Sequence, residues 1–188
     1  MEIDEALLTD NTPVIHRKIN DLKLLNILNP ILSASSLFSP TKKHESLNIT
    51  SDSYNFSVDI LKGEGYFDRL QIPKKSRLQL IEYMADIFTY HSIFISGSFL
   101  YKPGQAMGWH TNNDANGLRI YITHVSESKK SFFKYKNLQG DIITSYDNDG
   151  WWYRMFKINK EKPLWHCVYS DTFRYSIGVK TLDNLKIR

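Results

Sequence analysis

The stretch 118–135, LRIYITHVSESKKSFFKY, decides the fold class of this chain. It holds two runs of β-branched and aromatic residues with a polar segment between them, which is the pattern of two strands joined by a turn. Similar runs continue on both sides, and we expect strands at Ile93 to Tyr101, Leu118 to His124, Ser131 to Tyr135, Asp141 to Tyr146, Trp151 to Ile158, Leu164 to Tyr169 and Phe173 to Thr181. Their regular spacing predicts a mostly β jelly roll or barrel.

The chain before Ser92 has a different character. A short helix is predicted from Asp21 to Leu28, followed by a polar connector over 33–43, and a second helix from a capping Ser76 to about Tyr90. We therefore expect one domain over 1–188, in which a helical and irregular region, residues 1–91, supports a jelly-roll core at 92–181.

Composition narrows the class of protein. The chain has 188 residues, 41% of them hydrophobic, which suits one domain with a sizeable core. Its single cysteine, Cys167, excludes an internal disulfide and a cysteine-rich zinc cluster. The start, Met1-Glu-Ile-Asp-Glu, is acidic where a signal peptide is basic, and apolar runs are too short to cross a bilayer, so we expect a cytoplasmic protein without a membrane partner. A net charge of +4 favours an anionic ligand but is too small to indicate a nucleic-acid surface.

Three separated patches carry side chains that could do chemistry: 101–114, 165–166 and 174–180. Residues two apart in a strand share a face, so His110 can point with Asn112, and Arg174 with Ser176 and Lys180.

The second and third patches look like a hairpin. A turn centred on Asp171 would place His166 opposite Ser176, with Arg174 one step away on the same face. The sequence therefore predicts a metal site beside an anion site. Two histidines with one oxygen donor leave metal positions open for a bidentate co-substrate and oxygen.

From about Gly97 to Lys180, these patches resemble the Fe(II)/2-oxoglutarate-dependent oxygenases, and the AlkB-like branch most closely. That family has a tyrosine before a Pro-Gly turn, a His-x-Asp pair, a distal histidine and an Arg-x-(Asn or Ser) segment ending in another basic residue. The resemblance implies a double-stranded β-helix and a dioxygenase that hydroxylates a C–H bond, with Fe(II) and 2-oxoglutarate as cofactors and succinate and CO2 as co-products. Its residues would be the iron ligands His110 and His166, and the 2-oxoglutarate contacts Tyr101, Arg174, Ser176 and Lys180.

One position departs from the family pattern. Asn112 stands where the acidic metal ligand is expected, and a neutral amide is a weaker donor to a hard cation than a carboxylate. Asp114, further along the same face, is the alternative third ligand.

Two other functions remain open beside the oxygenase, the first because of Asn112 and the second although the placement of Tyr101 and Arg174 argues against it. One is a catalytically inactive jelly-roll binding protein, and the other is a cupin-like enzyme with another metal and no 2-oxoglutarate. The sequence does not select among a nucleic acid, a protein side chain and a small metabolite as substrate.

Overall fold

The structure, a computed structural model, describes residues 5–10, 12–34, 38–39, 65–89, 91–112 and 116–183. These residues contain a short 3-10 helix at Glu5–Leu7, the helices α1 (Leu22–Ser33) and α2 (Lys74–Ile87), and twelve strands. The strands are β1 (Ile15–Lys18), β2 (Phe38–Ser39), β3 (Gly65–Tyr66), β4 (Asp68–Leu70), β5 (His91–Tyr101), β6 (Gln105–His110), β7 (Gly117–Val125), β8 (Ser131–Lys136), β9 (Ile142–Tyr146), β10 (Gly150–Ile158), β11 (His166–Ser170) and β12 (Arg174–Asp183).

The described strands form two antiparallel sheets that face each other. Sheet A has the order β1-β10-β7-β12-β5-β4-β2, and sheet B has the order β3-β6-β11-β8-β9. This arrangement is the mostly β, double-stranded β-helix (jelly-roll) fold with flanking N-terminal helices, so the predicted fold class is confirmed. All seven predicted strands are present within two residues of their expected ends.

Side chains along the strands of sheet A point alternately to an outer surface, which faces the helices, and to an inner surface, which faces sheet B. On β7, Ile120 and Ile122 join the core under the helices, while Arg119, Tyr121 and Thr123 point to the other side, between the sheets. The polar face of β7 is therefore turned inward rather than toward solvent.

The two helices cover the outer face of sheet A. The buried side chains of α1 are Leu24, Ile27, Leu28 and Ile31, at the i, i+3, i+4, i+7 spacing of one helical stripe. Asp21 caps the helix by accepting a hydrogen bond from the Leu24 N–H at 2.9 Å. Burying each of these aliphatic side chains contributes about 2 kcal/mol, which anchors the helix to the sheet.

The helix bounds differ slightly from those predicted. The first helix continues through Pro30 to Ser33, because its apolar stripe extends to Ile31 and the packing outweighs the missing N–H of proline. The second begins at Lys74 with Pro73 as its N-cap residue, so the predicted cap at Ser76 is wrong. Much of the predicted connector over 33–43 lies outside the described residues.

The hairpin predicted between His166 and Ser176 is also wrong. Strand β11 pairs with β6 and β8 in sheet B, whereas β12 pairs with β5 and β7 in sheet A. The segment 171–173 therefore carries the chain from one sheet to the other. Both hydrogen-bonding edges of β11 are used within its own sheet, which leaves none for β12.

Candidate active site

A cavity of about 180 Å³ lies between the inner faces of the two sheets. Sheet A contributes Tyr101, Arg119, Tyr121 and Ser176 to its wall, and sheet B contributes His110 and His166, with Asn112 following β6. The cavity is smaller than the roughly 300–1,000 Å³ typical of sites for drug-sized ligands. It therefore suits a small molecule of a few carbon atoms.

Two histidines of sheet B meet at this cavity. His110 and His166 are register partners on β6 and β11, and their ring centroids lie 4.1 Å apart. His110 Nδ1 lies 2.7 Å from the Gly108 carbonyl oxygen, and His166 Nδ1 lies 2.9 Å from the Leu164 carbonyl oxygen. Because a carbonyl can only accept, both Nδ1 atoms carry the proton, and each Nε2 keeps its lone pair. Metal-binding histidines are commonly oriented in this way, so both rings are suited to coordination.

Burial keeps both imidazoles neutral. It lowers the pKa of His110, although the hydrogen bond to Gly108 works against the shift. The pKa of His166 falls well below its usual value, first because the ring is completely buried and then because His110 and Arg119 lie nearby. Neutral imidazole is the form that binds a metal.

Asn112 and Tyr121 place polar atoms next to His166. The amide Nδ2 of Asn112 lies 2.7 Å from the Tyr121 hydroxyl and 3.1 Å from His166 Nε2, and the hydroxyl lies 3.3 Å from the same Nε2. Because Nε2 is unprotonated, Nδ2 donates to it in this arrangement, and turning the carboxamide over would present Oδ1 to a metal at the same position. Among the described residues, no three His, Cys, Asp or Glu side chains gather in one place. The donor set is therefore two imidazoles with amide and phenol groups.

A buried charge cluster lies behind Tyr101. Arg174 donates from Nε to Asp147 Oδ2 at 2.8 Å, and Arg154 and Ser131 make short hydrogen bonds to the same carboxylate. Burial alone would raise the pKa of Asp147, but the two guanidinium groups and the Ser131 hydroxyl outweigh it and hold that pKa below its usual range. Two arginines and one carboxylate leave this cluster with one excess positive charge.

The guanidinium of Arg174 is completely buried and only partly satisfied. Nη2 lies 3.3 Å from the Thr123 hydroxyl, while Nη1 has no hydrogen-bond partner in the portion of the chain that is described. A buried donor without an acceptor is costly, and an anionic ligand would remove that cost. The guanidinium carbon lies 5.3 Å from the centre of the Tyr101 ring, whose edge lines the cavity. Burial raises the pKa of Tyr101, so its hydroxyl stays protonated and able to donate.

The structure brings together most of the residues selected from the sequence. Tyr101, His110, Asn112, His166 and Ser176 line the cavity, and Arg174 lies behind Tyr101. Lys180 is half-buried on the same face of β12 and is not part of the cavity wall. Asp114 lies outside the described residues.

Sequence reasoning missed Arg119, Tyr121 and Asp147. The first two alternate with the apolar residues of β7, and such a polar face usually meets solvent. Asp147 belongs to the segment Asp147-Asn-Asp-Gly150, which is typical of an exposed turn. Only the pairing of β9 with β8 and the neighbouring arginines show that its carboxylate is buried.

Several solved structures have a fold similar to that of this chain. A structure titled as an oxidoreductase of the 2OG-Fe(II) oxygenase family, from Burkholderia pseudomallei, superposes with a TM-score of 0.59 at 11% identity, covering 98% of this chain and 95% of that one. A prolyl hydroxylase from Trichoplax adhaerens, in complex with a hypoxia inducible factor oxygen degradation domain peptide fragment, gives a TM-score of 0.57 at 12% identity, with 92% and 85% covered. A full-length Neurospora crassa protein in complex with alpha-KG gives 0.56 at 12% identity, with 93% and 77% covered.

No family model matches the chain, and no curated protein matches it. At these identities, the likeness establishes a shared fold. In the described residues, no helix is long and apolar enough to span a membrane.

Proposed function

We propose that the protein is an Fe(II)- and 2-oxoglutarate-dependent oxygenase that hydroxylates a C–H bond. The observation that carries the proposal is that two imidazoles line one small cavity, while a buried arginine lies directly behind the Tyr101 ring that lines the same cavity. Sheet B offers two imidazoles whose Nε2 atoms are unprotonated, and sheet A offers a buried arginine with an unsatisfied N–H. A metal beside a fixed cation is what a chelating dicarboxylate requires.

His110 and His166 would hold the iron, with the Asn112 carboxamide as the third protein donor. Asp114 remains an alternative third ligand. The backbone carbonyls of Gly108 and Leu164 orient the two rings, and burial keeps them neutral. When bound, Fe(II) and 2-oxoglutarate supply the oxidising chemistry, in which O2 is consumed, CO2 and succinate leave, and one oxygen atom enters the substrate C–H bond.

The remaining residues bind and orient the co-substrate. Arg174 pairs with its distal carboxylate through Nη1, while Asp147 holds the guanidinium in place from the opposite edge. Tyr101 and Ser176, which line the cavity, donate hydroxyl hydrogen bonds. Lys180 adds positive charge further along β12 without a bidentate fork.

The cavity size constrains the substrate. About 180 Å³ is enough for a small dicarboxylate but leaves little space for a second molecule, so the substrate presents only its reacting group at the cavity. A side chain of a peptide fits this requirement, and the Trichoplax prolyl hydroxylase of similar fold is titled as a complex with a peptide fragment. A nucleic acid, as the AlkB-like resemblance suggests, or a metabolite would satisfy it equally.

The test is succinate production. The protein is purified anaerobically, supplied with Fe(II), 2-oxoglutarate and ascorbate, and exposed to air, and succinate is measured without added substrate. We expect succinate from the native chain and none from His166→Ala or Arg174→Ala.

Matched controls are His124→Ala, whose ring packs against Trp151 away from the cavity, and Arg17→Ala on the exposed face of β1. Both should keep the native rate. If the native chain produces no succinate and shows no metal-dependent binding of 2-oxoglutarate, the proposal is wrong.

One observation favours a second function. Because the donor set of the described residues lacks a carboxylate, iron binding is weaker than in a His-x-Asp site, and a catalytically inactive jelly-roll binding protein is the alternative. Binding of 2-oxoglutarate without succinate production would support this alternative.

A further inference from the structure

The hydroxyl of Tyr121 stands at the corner of a triangle of possible metal donors. Its three sides are 2.7 Å from Tyr121 Oη to Asn112 Nδ2, 3.1 Å from Nδ2 to His166 Nε2, and 3.3 Å from Nε2 back to Oη. A carboxamide binds a metal through its oxygen, so the Asn112 amide would turn over to place Oδ1 at this corner. Adjacent ligands of an octahedral metal with bonds of roughly 2.1 Å are about 3.0 Å apart. The three atoms therefore have the mutual separations of neighbouring ligands around one cation.

The charge of a bound divalent cation also favours Tyr121 as a ligand. A histidine binds a metal through a neutral imidazole and an asparagine through a neutral carboxamide, so His110, His166 and Asn112 would give a divalent cation no negative protein ligand. An uncompensated charge in a buried site is expensive. Of the groups within hydrogen-bond distance of His166 Nε2 that the structure describes, Tyr121 is the one that can become an anion.

Packing fixes the phenol in this position. The Tyr121 ring makes edge contacts with Phe156 at 5.4 Å and Phe133 at 6.1 Å between centroids, and it extends from β7, which has a strand on each side. A ligand held on a strand by aromatic neighbours is presented rigidly, as metal sites require.

We infer that Tyr121 is a metal ligand, and that its phenolate replaces the carboxylate that Asn112 lacks. On coordination, the metal takes the place of the phenolic proton, which leaves to solvent. The inference rests on the metal site of the proposed function but not on the oxygenase reaction.

Copper is the probe, because Cu(II) binds most tightly among the divalent first-row metals and fills even a weak nitrogen and oxygen site. The full-length chain, freed of metal, is titrated with Cu(II), and its visible absorption is recorded. We expect a phenolate-to-copper charge-transfer band that saturates at one copper per chain. The band should be absent in Tyr121→Phe and retained in Tyr135→Phe, whose tyrosine lies opposite His166 in the neighbouring strand.

Zinc affinity provides a second readout. Tyr121→Phe should weaken Zn(II) binding by at least about tenfold, since even the loss of an outer-shell partner has that effect. Weaker zinc binding in the variant, with no copper band in the native chain, would make Tyr121 only a hydrogen-bond partner of Asn112 and overturn the inference.

The outcomes separate the two proposals. A charge-transfer band in a chain that makes no succinate supports Tyr121 as a ligand and contradicts the oxygenase reaction. Succinate production with no band contradicts only the role of Tyr121. A native chain that binds neither Cu(II) nor Zn(II) overturns both.

Discussion

Asp147 holds one edge of the Arg174 guanidinium at 2.8 Å from Nε, while Nη1 of the same group has no hydrogen-bond partner among the described residues. The carboxylate thus fixes the arginine and leaves a donor for a ligand. The Arg174 guanidinium, with one N–H still lacking an acceptor in the described part of the chain, is the feature of sheet A that most favours an anionic co-substrate.

The first prediction concerns Arg174→Lys. Lysine keeps the charge but lacks the planar fork that can contact Asp147 and a carboxylate together. The KM for 2-oxoglutarate in succinate production should rise by about tenfold or more, because a hydrogen bond to a charged group contributes roughly 1.5–3 kcal/mol. Arg17→Lys, on exposed β1, is the control. An unchanged KM in Arg174→Lys would show that Arg174 does not contact 2-oxoglutarate.

The second prediction concerns Asp147→Asn, which leaves two buried arginines without their shared carboxylate. The free energy of unfolding should fall by about 3–5 kcal/mol, as for other broken buried ion pairs. Asp86→Asn is the control, because its pair with Lys23 is about 70% exposed on both sides and contributes less than about 1 kcal/mol. Urea denaturation measures both variants, and equal losses would show that the buried cluster contributes no more than a surface pair.

The same carboxylate predicts a pH dependence. The pKa of Asp147 is lower in the folded chain than its ordinary value of 3.8, so its ionised form stabilises the fold. That contribution is complete well above pH 3.8 and is lost as the pH falls below 3.8 toward the folded-state pKa. Native unfolding free energy should therefore drop over this acid range, and Asp147→Asn should show a smaller drop. Parallel pH curves for the two proteins would contradict this assignment.

The fourth prediction restores the family pattern with Asn112→Asp. A carboxylate is a stronger donor to a hard divalent cation than an amide, so Fe(II) affinity should increase by at least about tenfold. Competition against a metal indicator under anaerobic conditions measures it. Asn112→Ala is the companion variant and should bind more weakly than the native chain. If all three proteins bind Fe(II) equally, position 112 is not a ligand.

The fifth prediction uses Gly178, whose backbone lines the cavity. A Cβ at this position would lie 2.8 Å from Ser96 Oγ and 3.4 Å from a ring carbon of Tyr121. Gly178→Ala should therefore crowd the cavity and raise the KM for 2-oxoglutarate by about tenfold, in the range expected for overpacking. Adding Ser96→Gly removes the nearer contact and should recover some of the loss. If the KM of the double variant does not recover, the contact with Ser96 is not the cause of the higher KM.

The sequence predicted the strands well because β-branched and aromatic runs report local preference. It did not predict β6, Gln105–His110, whose residues Gln-Ala-Met-Gly-Trp-His contain no β-branched side chain. The wrong hairpin between β11 and β12 has a related cause, since a short polar link is compatible with either a turn within a sheet or a crossing between sheets. Strand partnership is decided by edges that are distant in sequence.

The candidate site was predictable to the extent that its residues follow a motif. His110, His166 and Ser176 line one cavity in the structure, although the predicted hairpin between His166 and Ser176 is wrong. The local sequence does not indicate a role for Asp147 or Tyr121. An aspartate in Asp-Asn-Asp-Gly is typical of an exposed turn, and a tyrosine in a β-branched run is typical of any strand. Their importance depends on which charges and aromatic rings surround them after folding.

The division of the cavity between two sheets has a consequence for which acids fit it. The imidazoles belong to sheet B and the Arg174 guanidinium to sheet A, and the Tyr101 ring lies at the cavity wall next to that guanidinium, whose carbon is 5.3 Å from the ring centre. The spacing of the two sheets therefore limits the length of an acid that could reach from the imidazoles to the guanidinium.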